Sequence, residues 1–153
     1  MKKLLALIVV VVAILGAVLD PFPAPPKRDI QNTLTEASKV ELVGLQPEII
    51  REESPTLFGM RKVTRRRTLS EAERAQVLSA LQSDLRYRVW TVGRCFNPRH
   101  GLALTTPAGE YRLLLCYECS QMEMVSPEGR RGALVPLAGS SAGVVNSLLN
   151  QKP

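Results

Sequence analysis

Three cysteines and one histidine fall in two short stretches of the chain, "CFNPRHG" from Cys95 to Gly101 and "CYEC" from Cys116 to Cys119. The pattern is Cys-x4-His, then fifteen residues, then Cys-x2-Cys. Thiolate and imidazole are the donors from which zinc builds closed tetrahedral sites, and Cys3His is a standard structural set. Cys95, His100, Cys116 and Cys119 are therefore candidate metal ligands, and Zn2+ in a structural role is the cofactor they imply. The Cys-x2-Cys half has the usual spacing of a zinc knuckle. The Cys-x4-His half is looser, but Pro98 stiffens its loop and Gly101 lets the chain turn back. Such a site needs neutral imidazole and thiolate, so it weakens in acid.

The same residues support other chemistry. Under oxidising conditions cysteines pair, and three leave one over. A Cys95–Cys116 or a Cys95–Cys119 bridge would cross-link the two stretches. A Cys116–Cys119 bridge would look like a redox-active pair, but no helix follows Cys116 to lower its thiol pKa. Cys95 and His100 could also act as nucleophile and base, with Arg99 stabilising an anion and Glu118 as the nearest orienting acid. Buried cysteines that pack as small apolar residues, with His100 satisfied in a loop, are the plainest alternative.

Secondary-structure signals decide whether the two stretches can meet. "KVELVGL", Lys39–Leu45, reads as a strand with Val40 and Leu42 on one face. "QPEIIREESP", 46–55, reads as a surface loop. "LFGMRKVTRRRTL", 57–69, reads as a basic edge strand, since charge discourages unwanted pairing there. "SEAERAQVLSALQSDL", 70–85, is the clearest helix. Ser70 and Glu73 have capping-box spacing, and Val77, Leu78, Leu81 and Leu85 form one stripe. Four short strands follow at "YRVWTV" (87–92), "LALTT" (102–106), "EYRLLLC" (110–116) and "QMEMV" (121–125). "PAG" (107–109) is the turn between the second and third, and "SPEGRRG" (126–132) is a loop. "SSAGVVNSLLNQ" (140–151) has helical spacing. If the four strands form an antiparallel meander, both cysteine-bearing connections lie at one end of the sheet. Trp90, Met122 and Met124 then read as packing residues.

The paired motif resembles that of small uncharacterised exported bacterial proteins carrying Cys-Phe-x-Pro-Arg-His-Gly and then Cys-aromatic-x-Cys. Cys95, Pro98, Arg99, His100, Gly101, Cys116 and Cys119 match, and Tyr117 stands where Phe is common. "LTEASKVELVGLQPE" and "LFGMRKV" are similar too, so the resemblance spans Leu34 to Val125. It implies an α+β fold and an exported setting, and it supplies no activity.

Export is also read directly. Lys2 and Lys3 precede sixteen apolar residues, Leu4–Leu19, closed by Asp20. A basic start and an apolar run form an export signal. The run is longer than most cleaved signals and shorter than most spans, and no good cleavage site follows, which favours a retained anchor. Residues 1–19 are then a signal anchor or signal peptide, 20–37 a linker, and 38–153 a small domain. "DPFPAPPKRD", Asp20–Asp29, holds four prolines and reads as an extended stalk that is neither helix nor central strand. The expected location is the cell membrane, with the domain on the periplasmic or extracellular side, or secreted if the signal is cleaved.

The net charge is +6, and about +4 without Lys2 and Lys3. "RKVTRRR" holds Arg61, Lys62, Arg65, Arg66 and Arg67. No aromatic residues are interleaved and an exported domain meets little nucleic acid, so none is expected as partner. On simple alternation Arg61, Arg65 and Arg67 share one face, and anionic lipid or an envelope polymer is the candidate partner. The fold expected is α+β: an antiparallel sheet with two packed helices behind an N-terminal apolar helix. The function expected is a membrane-tethered accessory or binding module with a Cys3His structural metal site. An envelope thiol- or metal-dependent enzyme using Cys95 and His100, and a domain with one disulfide and one free thiol, remain the alternatives.

Overall fold

The computed structural model describes residues 25–51, 57–86 and 93–150. The apolar segment, the first part of the proline-rich stretch and the expected strand at 87–92 with Trp90 lie outside them. Among the described residues no helix is long and apolar enough to cross a membrane.

Helix α1 (Pro25–Glu36) corrects the reading of this stretch as an extended stalk. Two prolines open it, at the one place where a helix tolerates them. The missing N–H there has no intrahelical partner anyway, and the ring presets φ. Ile30 and Leu34, four apart, are both buried. Strand β1 (Lys39–Leu45) follows, then β2 (Leu57–Phe58), β3 (Arg61–Thr68) and helix α2 (Glu71–Arg86). The expected capping box closes α2: Ser70 N–H donates to Glu73 Oε2 at 2.9 Å, and Glu73 N–H to Ser70 Oγ at 3.4 Å. Strands β4 (His100–Thr106), β5 (Gly109–Cys116), β6 (Gln121–Val125) and β7 (Val135–Pro136) precede helix α3 (Ala142–Asn150). Among the described residues three helices thus pack where two were expected.

All pairings are antiparallel, in the order β2-β3-β1-β4-β5-β6-β7. The β4–β5–β6 part of the expected meander is present. The neighbour of β4 on its other side is β1, however, and not the segment just before it in sequence. Among the described residues only the two-residue β2 lies outside β3, so most of β3 is an edge, as its charge implied.

Side chains alternate across the sheet. One face carries Val40, Leu42, Leu102, Leu104, Leu113, Leu115 and Met122, and packs against Ile30, Leu34, Val77, Leu81, Leu85, Val145 and Leu148 of the three helices. The far face carries a smaller cluster with no helical member: Val43, Leu45, Phe58, Ala103, Leu114 and Val125, with Phe96 and Val63 against it. Gly101 belongs to this far face. A Cβ there would fall 2.5 Å from Phe58 Cε1 and 3.0 Å from Val43 Cγ2. The glycine therefore makes room for Phe58. Gly101→Ala is expected to cost about 1–3 kcal/mol by overpacking. A urea titration measures the loss, and an unchanged midpoint would show that Phe58 yields freely.

Candidate functional site

The β4–β5 register places His100 opposite Leu115, at the rim where β5 turns through 117–120 into β6. Residues 93–99 run into β4 at this same rim. Gly93 N–H donates to Cys119 O at 2.9 Å, and Leu45 N–H donates to Arg99 O at 2.9 Å. A Cβ on Gly93 would lie 3.1 Å from Cys119 Cα, so glycine permits the close approach. The two cysteine-bearing loops meet, as the strand count predicted.

They do not bring four ligands to one centre. Cys95 Sγ and Cys119 Sγ are 2.8 Å apart, one exposed and one buried. His100 shares the helix-covered face with Leu115. Its Nε2–H donates to Asn146 Oδ1 on α3 at 2.8 Å, and its ring lies 5.4 Å from that of Tyr117. Cys116 is two residues beyond Leu114 and so sits on the far face, buried. Among the described residues no three of His, Cys, Asp or Glu come together as a metal-holding group. The expected set of Cys95, His100, Cys116 and Cys119 becomes one close sulfur pair and two residues on opposite sides of the sheet.

The expected nucleophile and base are each engaged by other partners, Cys95 by Cys119 and His100 by Asn146. The hydrogen bond to Cys119 holds the Cys95 thiol above its ordinary pKa, with desolvation adding to the effect, which disfavours the thiolate. Burial pushes the His100 imidazole below its ordinary 6.5, and only partly does the Asn146 hydrogen bond oppose this. Arg99 and Glu118 form an exposed pair at 3.4 Å, a geometry that contributes little.

A second polar centre lies beneath the rim. Asp84 of α2 is fully buried. Its Oδ1 accepts from Ser140 N–H at 2.7 Å and from the Ser140 hydroxyl; its Oδ2 accepts from Ser141 N–H at 3.1 Å and the Ser141 hydroxyl at 2.6 Å. The Tyr117 hydroxyl in turn donates to Ser141 Oγ at 2.9 Å, and burial pushes that phenol's pKa upward. A carboxylate from one helix thus caps the start of another. Both oxygens are saturated, so the group holds structure and has no lone pair to spare for base catalysis. The signal for it is in the sequence: Asp84 stands three residues after Leu81, on the apolar stripe, where a charge needs partners.

The basic stretch divides as well. Thr64 is an extra residue at a bulge, because Gly44 pairs with Arg65 while Leu45 pairs with Val63. The parity of β3 flips there. Arg65 and Arg67 take the helix-covered face and donate to the carbonyls of Leu149 and Leu148, the latter at 2.9 Å, at the end of α3. Cations suit that end of a helix. Arg67 also pairs with Glu73, and Arg66 with Glu41 at 3.4 Å. Arg61 is buried on the far face. The expectation that Arg61 shares a face with Arg65 and Arg67 is corrected by this bulge.

No family model matches the chain, and neither a curated protein nor a solved structure matches it.

Two outcomes are expected from this geometry. Asp84→Ala leaves four donors without their acceptor, the two on Ser141 buried, and should cost about 3 kcal/mol or more; a loss near zero in chemical denaturation would mean that water replaces the carboxylate freely. For His100, the folded-state pKa lies below the unfolded value. Stability is therefore full above about pH 6.5 and falls as pH drops through that value towards the depressed one. Glu41, bonded by Lys39, and Glu73, bonded by Ser70, are lowered from 4.5, so their contributions are lost only below that pH. Between pH 6.5 and 5 the decline should vanish in His100→Gln, and equal slopes in the two proteins would remove His100 as its cause.

Proposed function

We propose that the chain is a membrane-tethered exported accessory or binding module whose domain is closed by a Cys95–Cys119 cross-link, with Cys116 as the remaining thiol. The observation that carries this reading is the 2.8 Å approach of Cys95 Sγ to Cys119 Sγ across two loops far apart in sequence. Covalent S–S bonds are about 2.0 Å long, so a small rotation of the exposed Cys95 closes the gap. Bridging residues 95 and 119 would close a loop that contains β4 and β5, and loop closure of this size removes about 3 kcal/mol of unfolded-state freedom. The basic start and apolar run at residues 2–19 support delivery to an oxidising compartment, where the link persists.

The remaining polar groups favour a module over an enzyme. Asp84 is saturated by four donors, His100 is committed to Asn146, and Cys95 is held as a thiol by Cys119. Attachment to the membrane through the N-terminal segment belongs to the same proposal. Contact with anionic lipid through Arg61, Lys62, Arg65, Arg66 and Arg67 as one patch draws no support, because those residues diverge to two faces, with Arg65 and Arg67 on the end of α3 and Arg61 buried.

The test uses full-length protein recovered from the membrane fraction of an expressing cell without reductant. Thiol counting and non-reducing peptide mapping should find one free cysteine, Cys116, and a peptide pair joined through Cys95 and Cys119. External protease should reach the domain in intact spheroplasts. Three free thiols with one bound zinc would replace this reading by the four-ligand centre, and a protected, cytoplasmic domain would remove the export half of the proposal.

A further inference from the structure

The far face holds an uncompensated cation. Arg61 is the largest of the fully buried side chains, at 2% exposure. Its Nη1–H and Nη2–H reach Gly59 O at 3.4 Å and Phe96 O at 3.3 Å, both long for hydrogen bonds. Its Nε–H is the one buried side-chain nitrogen or oxygen without a partner among the described residues. The nearby buried carboxylate, Glu123, is occupied by Arg131, which donates from Nε to Oε1 at 2.8 Å and from Nη2 to Oε2. Arg131 Nη1 points at Met60 Sδ, 3.7 Å away, and a thioether is a weak acceptor. Arg131 takes the carboxylate, Arg61 is left with two long carbonyl contacts, and each guanidinium keeps an N–H short of an oxygen. Desolvation pushes Arg61 below its ordinary pKa and Arg131 adds to this, against Glu123 and Cys116.

A buried charge without full pairing is costly, and an apolar residue of similar volume is often more stable. Locally unfavourable residues are kept at sites that bind something. We propose that Arg61, Arg131 and the Gly59–Met60 turn form a binding site for a small oxyanion, a phosphate, sulfate or carboxylate group. The anion accepts from Arg61 Nε and Arg131 Nη1 after the Met60 side chain swings aside. Met60 suits this part: it is unbranched, 41% exposed, and seated in a two-residue turn whose φ values, 56° and 64°, hold the backbone while the side chain projects. The Arg131 side chain, at 41% exposure, presents the site's outer edge to solvent. The bound group supplies the negative charge that Glu123 cannot give twice. The site touches the cysteine-bearing loop through Phe96 O, the acceptor for Arg61 Nη2–H.

The test titrates full-length protein, at constant ionic strength in chloride, with inorganic phosphate, sulfate and acetate in turn. Calorimetry and thermal unfolding are followed together. Saturable one-to-one binding of at least one anion, with a rising Tm, is expected, and the preferred anion identifies phosphate-type or carboxylate-type ligands. Arg61→Met should keep or raise the Tm without anion and weaken the response at least tenfold. Met60→Glu, at an exposed position, places a carboxylate where the anion would sit and should abolish the response. If Arg61→Met does not fold, Met60→Glu decides. Behaviour identical to chloride for all three anions, or a full response in Met60→Glu, overturns the proposal.

Discussion

Along β5, successive side chains leave opposite faces of the sheet, and this parity decides where each chemically interesting residue goes. Leu113 and Leu115 lie under the helices, while Leu114 faces Phe58 and Val43. Cys116, at the end of the strand, must follow Leu114. His100, paired with Leu115, must go the other way. A tetrahedral centre needs four donors converging on one point. The same alternation that builds a two-sided core sends His100 and Cys116 to different faces, while Cys95 and Cys119, both off the strands, approach each other.

The rim is stiffened from below by a polar pin. Tyr117 belongs to the turn that carries Cys119, and its hydroxyl reaches Ser141, which Asp84 also holds. The turn, the C-terminal part of α2 and the start of α3 are thereby fixed to one another by groups with little solvent access. His100 adds a second tie through Asn146. A loop laid on such a turn gains little by moving, so the sulfur pair is set by backbone contacts such as Gly93 to Cys119, with the thiols following.

The arginines of β3 show charge put to two uses. On the helix-covered face Arg65 and Arg67 satisfy carbonyls that the end of α3 cannot satisfy itself. On the far face Arg61 is buried without a carboxylate of its own. A single extra residue, Thr64, separates these outcomes. Basic composition alone therefore says little about a patch, because the bulge determines which side chains share a surface.

Much of the fold was legible in local pattern. The Ser70–Glu73 cap, the Val77–Leu85 stripe, the alternation of Leu113 with Leu115 and the Lys39–Leu45 strand all depend on spacing within a few residues. The proline-rich reading failed at α1 because a helix start accepts proline where its interior does not. The convergence of the two cysteine loops was legible because strand count alone fixes which end a connection occupies. Whether converging loops share a centre was not, since that depends on facing, register and bulges between segments distant in sequence. The sequence by itself determined most of the elements and the rim. Only the tertiary structure decided that Cys95 meets Cys119, that Asp84 caps α3 and that Arg61 is buried, because each follows from which face a side chain leaves and what the packed chain places opposite it.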